Sequence, residues 1–258
     1  MGKPPLRGAG QCPASPLDRP SAAAHDESMT VLRTDHDGPD GPWFPDRGLP
    51  GWAAAGIAVL LLAGALDAAR ALLADGRLTE RGGLEVASAA GYALGLAVFA
   101  ARAARPLAAW AVPVLLLAAA ARELDLDKRL TDPGILQARL YTGDAPLAVK
   151  AAGLAAVLLV LAAAASLLAR EGPGWMRALG AGARRAWWVA AALALALVSK
   201  SLDGIGRKLR PLGIDVPDAM NRAASFAEEA LELGIPVALI LAMTAGPSGA
   251  APPREHRA

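Results

Sequence analysis

A single cysteine, Cys12, occurs in 258 residues. That excludes an intrachain disulfide and leaves no basis for a thiolate metal centre. The three histidines, His25, His36 and His256, all fall near the chain ends. Between residues 51 and 245 no histidine remains to ligate haem, hold zinc or relay protons. Charge is scarce as well, at 19% of residues, where a soluble domain carries about a quarter. Neither sign dominates: the net charge is +2, which gives no footprint for a nucleic-acid partner. The first 50 residues hold no apolar stretch of the kind a secretory signal needs. No Walker A loop, G-x-S-x-G elbow or H-E-x-x-H pair is present, and no motif implies a cofactor.

What the chain has in abundance is alanine and leucine. Hydrophobic residues make up 54% of it, and the mean hydropathy is +0.35. The apolar residues come in blocks close to the roughly 20 residues that a helix needs to cross a bilayer. The expected fold class is all-α: a polytopic integral membrane helical bundle of about six transmembrane helices. The spans are predicted over residues 52–74, 84–104, 107–124, 147–169, 186–202 and 224–245. The bundle therefore occupies residues 51–245, between Pro-, Gly- and Ser-rich tails at 1–50 and 246–258 that read as disordered. Arg102, Arg105 and Pro106 mark the short turn between the second and third spans. Proline suits the first turn of a new helix, and two arginines suit an interface.

An even number of spans places both tails on one side of the membrane. Trp52, Trp110, Trp175, Trp187 and Trp188 all fall at span ends on that tail side, as an interfacial aromatic belt requires. The two loops on that side are almost purely basic, with Arg184 and Arg185 beside Trp187 and Trp188. The loops on the other side mix bases with acids. This contrast favours insertion in the inner (cytoplasmic) membrane of the cell with both tails in the cytoplasm.

The charged residues that stand out lie where spans three, five and six meet the non-tail side. Span three ends in Arg122, Glu123, Asp125, Asp127, Lys128 and Arg129. Span five ends in Lys200, Asp203, Arg207 and Lys208. Span six begins with Glu228, Glu229 and Glu232. Helical spacing puts Arg122, Asp125 and Arg129 on one stripe, Glu123 and Asp127 on a second, and Lys200, Asp203 and Arg207 on a third. The charges are complementary, so these helix ends are expected to meet, with Lys200 and Glu232 about one turn inside the interface. Glu228, Glu229, Glu232, Lys200 and Asp203 are the candidate catalytic groups, as acids, bases or hard oxygen ligands. Arg122, Glu123, Asp125, Lys128 and Arg207 are the candidate binding groups for an anionic head group or small solute. Membrane lipids are the expected partners. Two competing readings are an ion-coupled carrier and a non-catalytic scaffold in which the same charges lock helices together.

Three patterns bear on the details. Gly91-Tyr92-Ala93-Leu94-Gly95 matches G-x-x-x-G, which signals close helix packing within the fold. Leu66-Asp67, Leu124-Asp125 and Leu202-Asp203, each followed by a base, have the form of a threefold hairpin repeat, although leucine is common enough for chance to produce it. Asp203-Gly204-Ile205-Gly206-Arg207, followed by Gly213, Asp215 and Asp218, resembles the aspartate motif of the CDP-alcohol phosphatidyltransferases. That family holds divalent metal with D-G-x-x-A-R, a glycine and two aspartates one helical turn apart. Here the arginine stands one residue early, and Pro217 separates the later aspartates, so no family follows from the match.

Overall fold

The computed structural model describes residues 48–73, 83–103 and 109–245, without the side chains of 71–73. Residues 1–47, 74–82, 104–108 (with Arg105 and Pro106) and 246–258 lie outside the described residues. Within them the chain is helical, with no strand. In chain order the helices are α1 (Gly51–Leu73), α2 (Gly83–Arg102), α3 (Ala111–Glu123), α4 (Leu126–Leu130), α5 (Ala138–Thr142), α6 (Leu147–Gly180), α7 (Arg184–Leu202), α8 (Ile205–Leu209) and α9 (Asp218–Thr244), with a 3-10 turn at Arg210–Leu212.

Local chemistry sets the boundaries. Pro146 and Pro217 stand at the N-caps of α6 and α9, where a missing N–H costs nothing. Asp218 in the first turn of α9 suits the positive end of the helix dipole. Helix α6 ends in a Schellman turn: Gly182 adopts φ +75°, Ala183 N–H donates to Ala178 O, and Gly182 N–H donates to Leu179 O. This helix runs on past residue 169, where the fourth span was expected to end, and Pro173 sits inside it.

Four helices are long and apolar enough to cross a membrane: α1, over Gly51–Arg70, and α2, α6 and α7. The other two expected spans do not qualify by length and composition, for different reasons. Helix α3 has 13 residues, about 20 Å, against a hydrocarbon layer of about 30 Å. Helix α9 has 27 residues but carries Glu228, Glu229 and Glu232.

Helix α9 is nevertheless the packing centre. It packs most extensively on α7, next on α2, and also on α1; α2 packs on α1 and α3, and α3 on α6. Burial along α9 is graded. Its first turns are exposed, while Leu233, Pro236, Ala238, Ile240, Ala242, Met243 and Thr244 are buried. Ile240 and Met243 join Ala53, Val98, Phe99 and Ala109 in one apolar cluster, and Leu233 joins Leu60, Leu84 and Ala87 in a second. Close approach of α2 to α9 depends on Gly91, where a Cβ would stand 2.8 Å from Pro236 Cγ. The G-x-x-x-G pattern thus serves contacts inside the fold. Helix α6 is peripheral: only 11% of its most apolar stretch is buried. It links α3 and α7, which do not pack closely on each other among the described residues.

Hydrogen bonds tie the helix ends into two sets. At one end Arg102 donates to Gly48 O (2.7 Å), Arg185 to Ala245 O (3.3 Å) and the Trp175 indole to Ala186 O (3.0 Å). Arg102 is buried there, at the end of α2, and bound to the chain entering α1. At the opposite end Asp67 of α1 accepts from Leu84 N–H at the start of α2 (3.3 Å).

Candidate functional site

Glu232 is the focus of the charged group. It sits in the middle of α9 with its side chain 13% exposed. Its Oε1 accepts from the Ser199 hydroxyl at 3.1 Å, lies 3.1 Å from Lys200 Nζ and 3.7 Å from Arg122 Nη2. Three helices, α3, α7 and α9, therefore meet at one carboxylate oxygen. Ser199 is fully buried, whereas the side chains of Lys200 and Arg122 are 39% and 56% exposed. Lys200 Nζ also lies 3.7 Å from Glu228 Oε1 and 3.7 Å from Asp203 Oδ2. One ammonium thus neighbours three carboxylates.

The structure unites five of the ten residues expected from the sequence: Arg122, Lys200, Asp203, Glu228 and Glu232. Glu123 is half-buried beside them. Its electrostatic neighbours are Glu232, Arg122, Lys200 and Glu85, and it makes no hydrogen bond or ion pair among the described residues. Glu229 is turned towards α1 and α2, where Glu85 and Asp67 are its foremost charged neighbours. Its Oε2 is buried without a hydrogen-bond partner among the described residues.

Asp125, Lys128 and Arg207 do not join the group, and the reason is local backbone geometry. Asp125 adopts φ +48°, which ends α3 and starts α4 in a new direction. The stripe from Arg122 through Asp125 to Arg129, and the one from Glu123 to Asp127, are therefore broken. Asp125 instead pairs with Lys128 at 2.6 Å on an exposed turn, and this carboxylate holds the Lys128 ammonium above the usual lysine range. Gly204 at φ +58° likewise separates α7 from α8, and the Arg207 guanidinium folds back over Gly204. Asp203, as the C-cap of α7, stays within reach of Lys200.

The three Leu-Asp pairs occupy unlike settings, so they form no structural repeat. Asp67 lies within α1 and caps the start of α2, Asp125 breaks a helix, and Asp203 caps one. Lys150 Nζ donates to Gly143 O, and the Tyr141 hydroxyl to Ile135 O, so both brace the loop before α6.

Sequence reasoning missed Ser199, and its position was the available signal: a lone hydroxyl in an apolar helix finds a polar partner on a neighbour. Tyr92, read only as part of a packing motif, is buried with Glu123, Glu232 and Arg122 as its charged neighbours.

At about 1.5 Å rise per residue, Glu232 lies roughly 20 Å along α9 from Ala245, Lys200 roughly 22 Å along α7 from Arg185, and Arg122 roughly 18 Å along α3 from Trp110. The group is thus well removed from the tryptophan-rich end. Chemically, two cations with open sides share one enclosed carboxylate, an arrangement suited to holding a small polar group. Among the described residues, no three His, Cys, Asp or Glu side chains are grouped so as to hold a metal ion. No protein-family model matches the chain, and no curated protein and no solved structure matches it either.

Proposed function

We propose that this protein crosses the membrane six times, with α3 and α9 as inner spans, and that the polar group between α3, α7 and α9 binds the head group of a membrane lipid. The burial of α9 among α1, α2 and α7 supports the six-span reading, because a helix shielded by other helices tolerates carboxylates that lipid would not. Six spans put both tails on one side. The basic hairpin joining α6 and α7, with Arg177, Arg184 and Arg185, favours the cytoplasmic side of the cell's inner membrane.

The observation that carries the head-group reading is the shared hold on Glu232. Arg122 and Lys200 lie 3.7 Å and 3.1 Å from one enclosed carboxylate oxygen, yet each keeps an open side. Two cations brought side by side suit a phosphate, and guanidinium donors match phosphate oxygens. Helix α3 does not close on α7, which leaves the group between helices rather than sealed by them.

The test is lipid retention by the purified protein after detergent exchange, read by native mass spectrometry. Substituting Arg122→Gln and Lys200→Gln together should remove a bound phospholipid, while Lys128→Gln should not. Equal retention by all three proteins would refute the head-group site.

The depth of Glu232, roughly 20 Å from the tryptophan-rich end, supports a second reading as an ion-coupled carrier. Solute or proton flux in proteoliposomes that disappears with Lys200→Ala would favour it over lipid binding.

A further inference from the structure

We infer that the site holds one acyl chain of its lipid as well as the head group, with the chain lying in a groove between α3, α7 and α9. The inference rests on the head-group reading above and extends that site from the charged group along the helices. The placement of α3 is the starting point. It packs on α2 and α6, but closely on neither α7 nor α9 among the described residues. The long side chains of Arg122, Lys200 and Glu232 bridge the distance that the three backbones leave. Towards the tryptophan-rich end the same gap is lined by residues without such reach.

Helical spacing identifies that lining. Ala119 and Leu115 share the face of α3 that carries Arg122. Ala196 and Leu193 share the face of α7 that carries Lys200. Ile235 and Leu239 share the face of α9 that carries Glu232. Each helix thus turns one stripe to the gap, charged at one end and apolar for about 10 Å beyond it. None of these six apolar residues is buried, although α9 is the packing centre of the bundle. By contrast Leu116 on α3, Ala192 on α7, and Pro236 and Ile240 on α9 are all buried. The two alanines leave width between α3 and α7 just past the charges. The groove ends where Val112 and Met243 join the apolar cluster around Ile240. Its direction suits a lipid. A phosphate at Arg122 and Lys200 lies at the end remote from the tryptophans, so its chains point towards the bilayer centre, along the three stripes. A single apolar stripe from each helix suits one chain, and a polar group at one end of an apolar lining fixes the ligand's orientation.

The experiment is lipid retention by the full chain. The delipidated protein is exposed to phosphatidylethanolamine and phosphatidylglycerol, and bound lipid is counted by native mass spectrometry. The retention that counts is the part lost in the Arg122→Gln, Lys200→Gln double variant, which removes adsorption elsewhere on the surface. Ala196→Phe fills the groove and leaves both cations in place. It should lower that retention at least fivefold without lowering the thermal unfolding temperature. Ala194→Phe puts the same ring on the opposite, exposed side of α7 and should keep retention within twofold of the parent. Ala119→Phe is the alternative should Ala196→Phe fail to fold. A further arm needs no variant: glycerophosphoethanolamine and glycerophosphoglycerol, the same head groups without chains, are added in hundredfold excess and should displace no lipid. Full retention in both groove variants, or displacement by the chainless head groups, would overturn the groove and leave the head-group site standing. No retention that depends on Arg122 and Lys200 would overturn the head-group site itself, and the groove with it.

Discussion

Glu232, Ser199, Lys200 and Arg122 form a contact in which every member depends on the others. An enclosed carboxylate stripped of its partners costs far more than one never placed there. Lys200→Met leaves Glu232 facing an apolar neighbour, and Glu232→Met leaves Lys200 with only Glu228 and Asp203. Each single change should cost about 1–3 kcal/mol, below the figure for a fully buried pair because Lys200 is partly open. The double change should recover most of that loss, because two apolar side chains of similar length fill the same space without leaving a charge behind. Thermal unfolding in detergent checks this, and losses that simply add in the double variant would mean the pair does not couple. Lys128→Ala is the contrast. Its partner Asp125 is close, but both side chains are mostly in solvent, so the unfolding temperature should stay within error of the parent.

At the level of helices, the two glycines of the G-x-x-x-G pattern are not equivalent. A Cβ at Gly91 meets the rigid ring of Pro236 at 2.8 Å, whereas a Cβ at Gly95 has ordinary contacts at 3.7 Å with Ile240, Leu116 and Met243. Gly91→Ala should therefore push α2 from α9 and cost about 1–3 kcal/mol, while Gly95→Ala should be close to neutral. Thermal unfolding of the two variants side by side decides it, and equal effects would mean that α2 and α9 do not approach at Gly91. Asp67→Ala should cost about 1 kcal/mol through the lost cap on α2, with hydrogen exchange at Leu84 as the local readout. Much at this scale was legible in the sequence. Apolar blocks marked α1, α2, α6 and α7, and complementary charges correctly brought together Arg122, Lys200 and Glu232. The illegible part was where a helix turns. Asp125 in the left-handed region breaks two predicted stripes, and nothing in its neighbourhood, such as a glycine or proline, announces it. Gly204 was the better-signalled break. The shift of Glu229 towards α1 was equally hidden, because Glu228 and Glu229 differ by only one residue's rotation about α9.

For the molecule as a whole, the question is whether α3 and α9 cross with the four apolar helices. Hydropathy does not decide it, because an inner helix is free to carry charge when its neighbours supply the apolar surface. The hydrogen bonds at one end of the bundle favour crossing: Arg102 to Gly48 O, and Arg185 to Ala245 O, join the start of one helix to the end of another. If all six cross, the loop containing Leu130 and the loop containing Leu212 share a side, and Gly180 in the α6–α7 hairpin is on the other. Leu130, Leu212 and Gly180 are exposed, so a cysteine at each would be reachable. Cys12→Ser supplies a cysteine-free parent. In intact cells an impermeant thiol reagent should label Leu130→Cys and Leu212→Cys, and should label Gly180→Cys only after the membrane is opened. Labelling of Gly180→Cys alone keeps six spans and reverses the orientation, which brings the Glu232 group to the cytoplasmic half of the membrane. Leu130→Cys and Leu212→Cys on opposite sides would remove one crossing. That would place Arg122 and Lys200 at different faces, a result incompatible with their shared contact on Glu232.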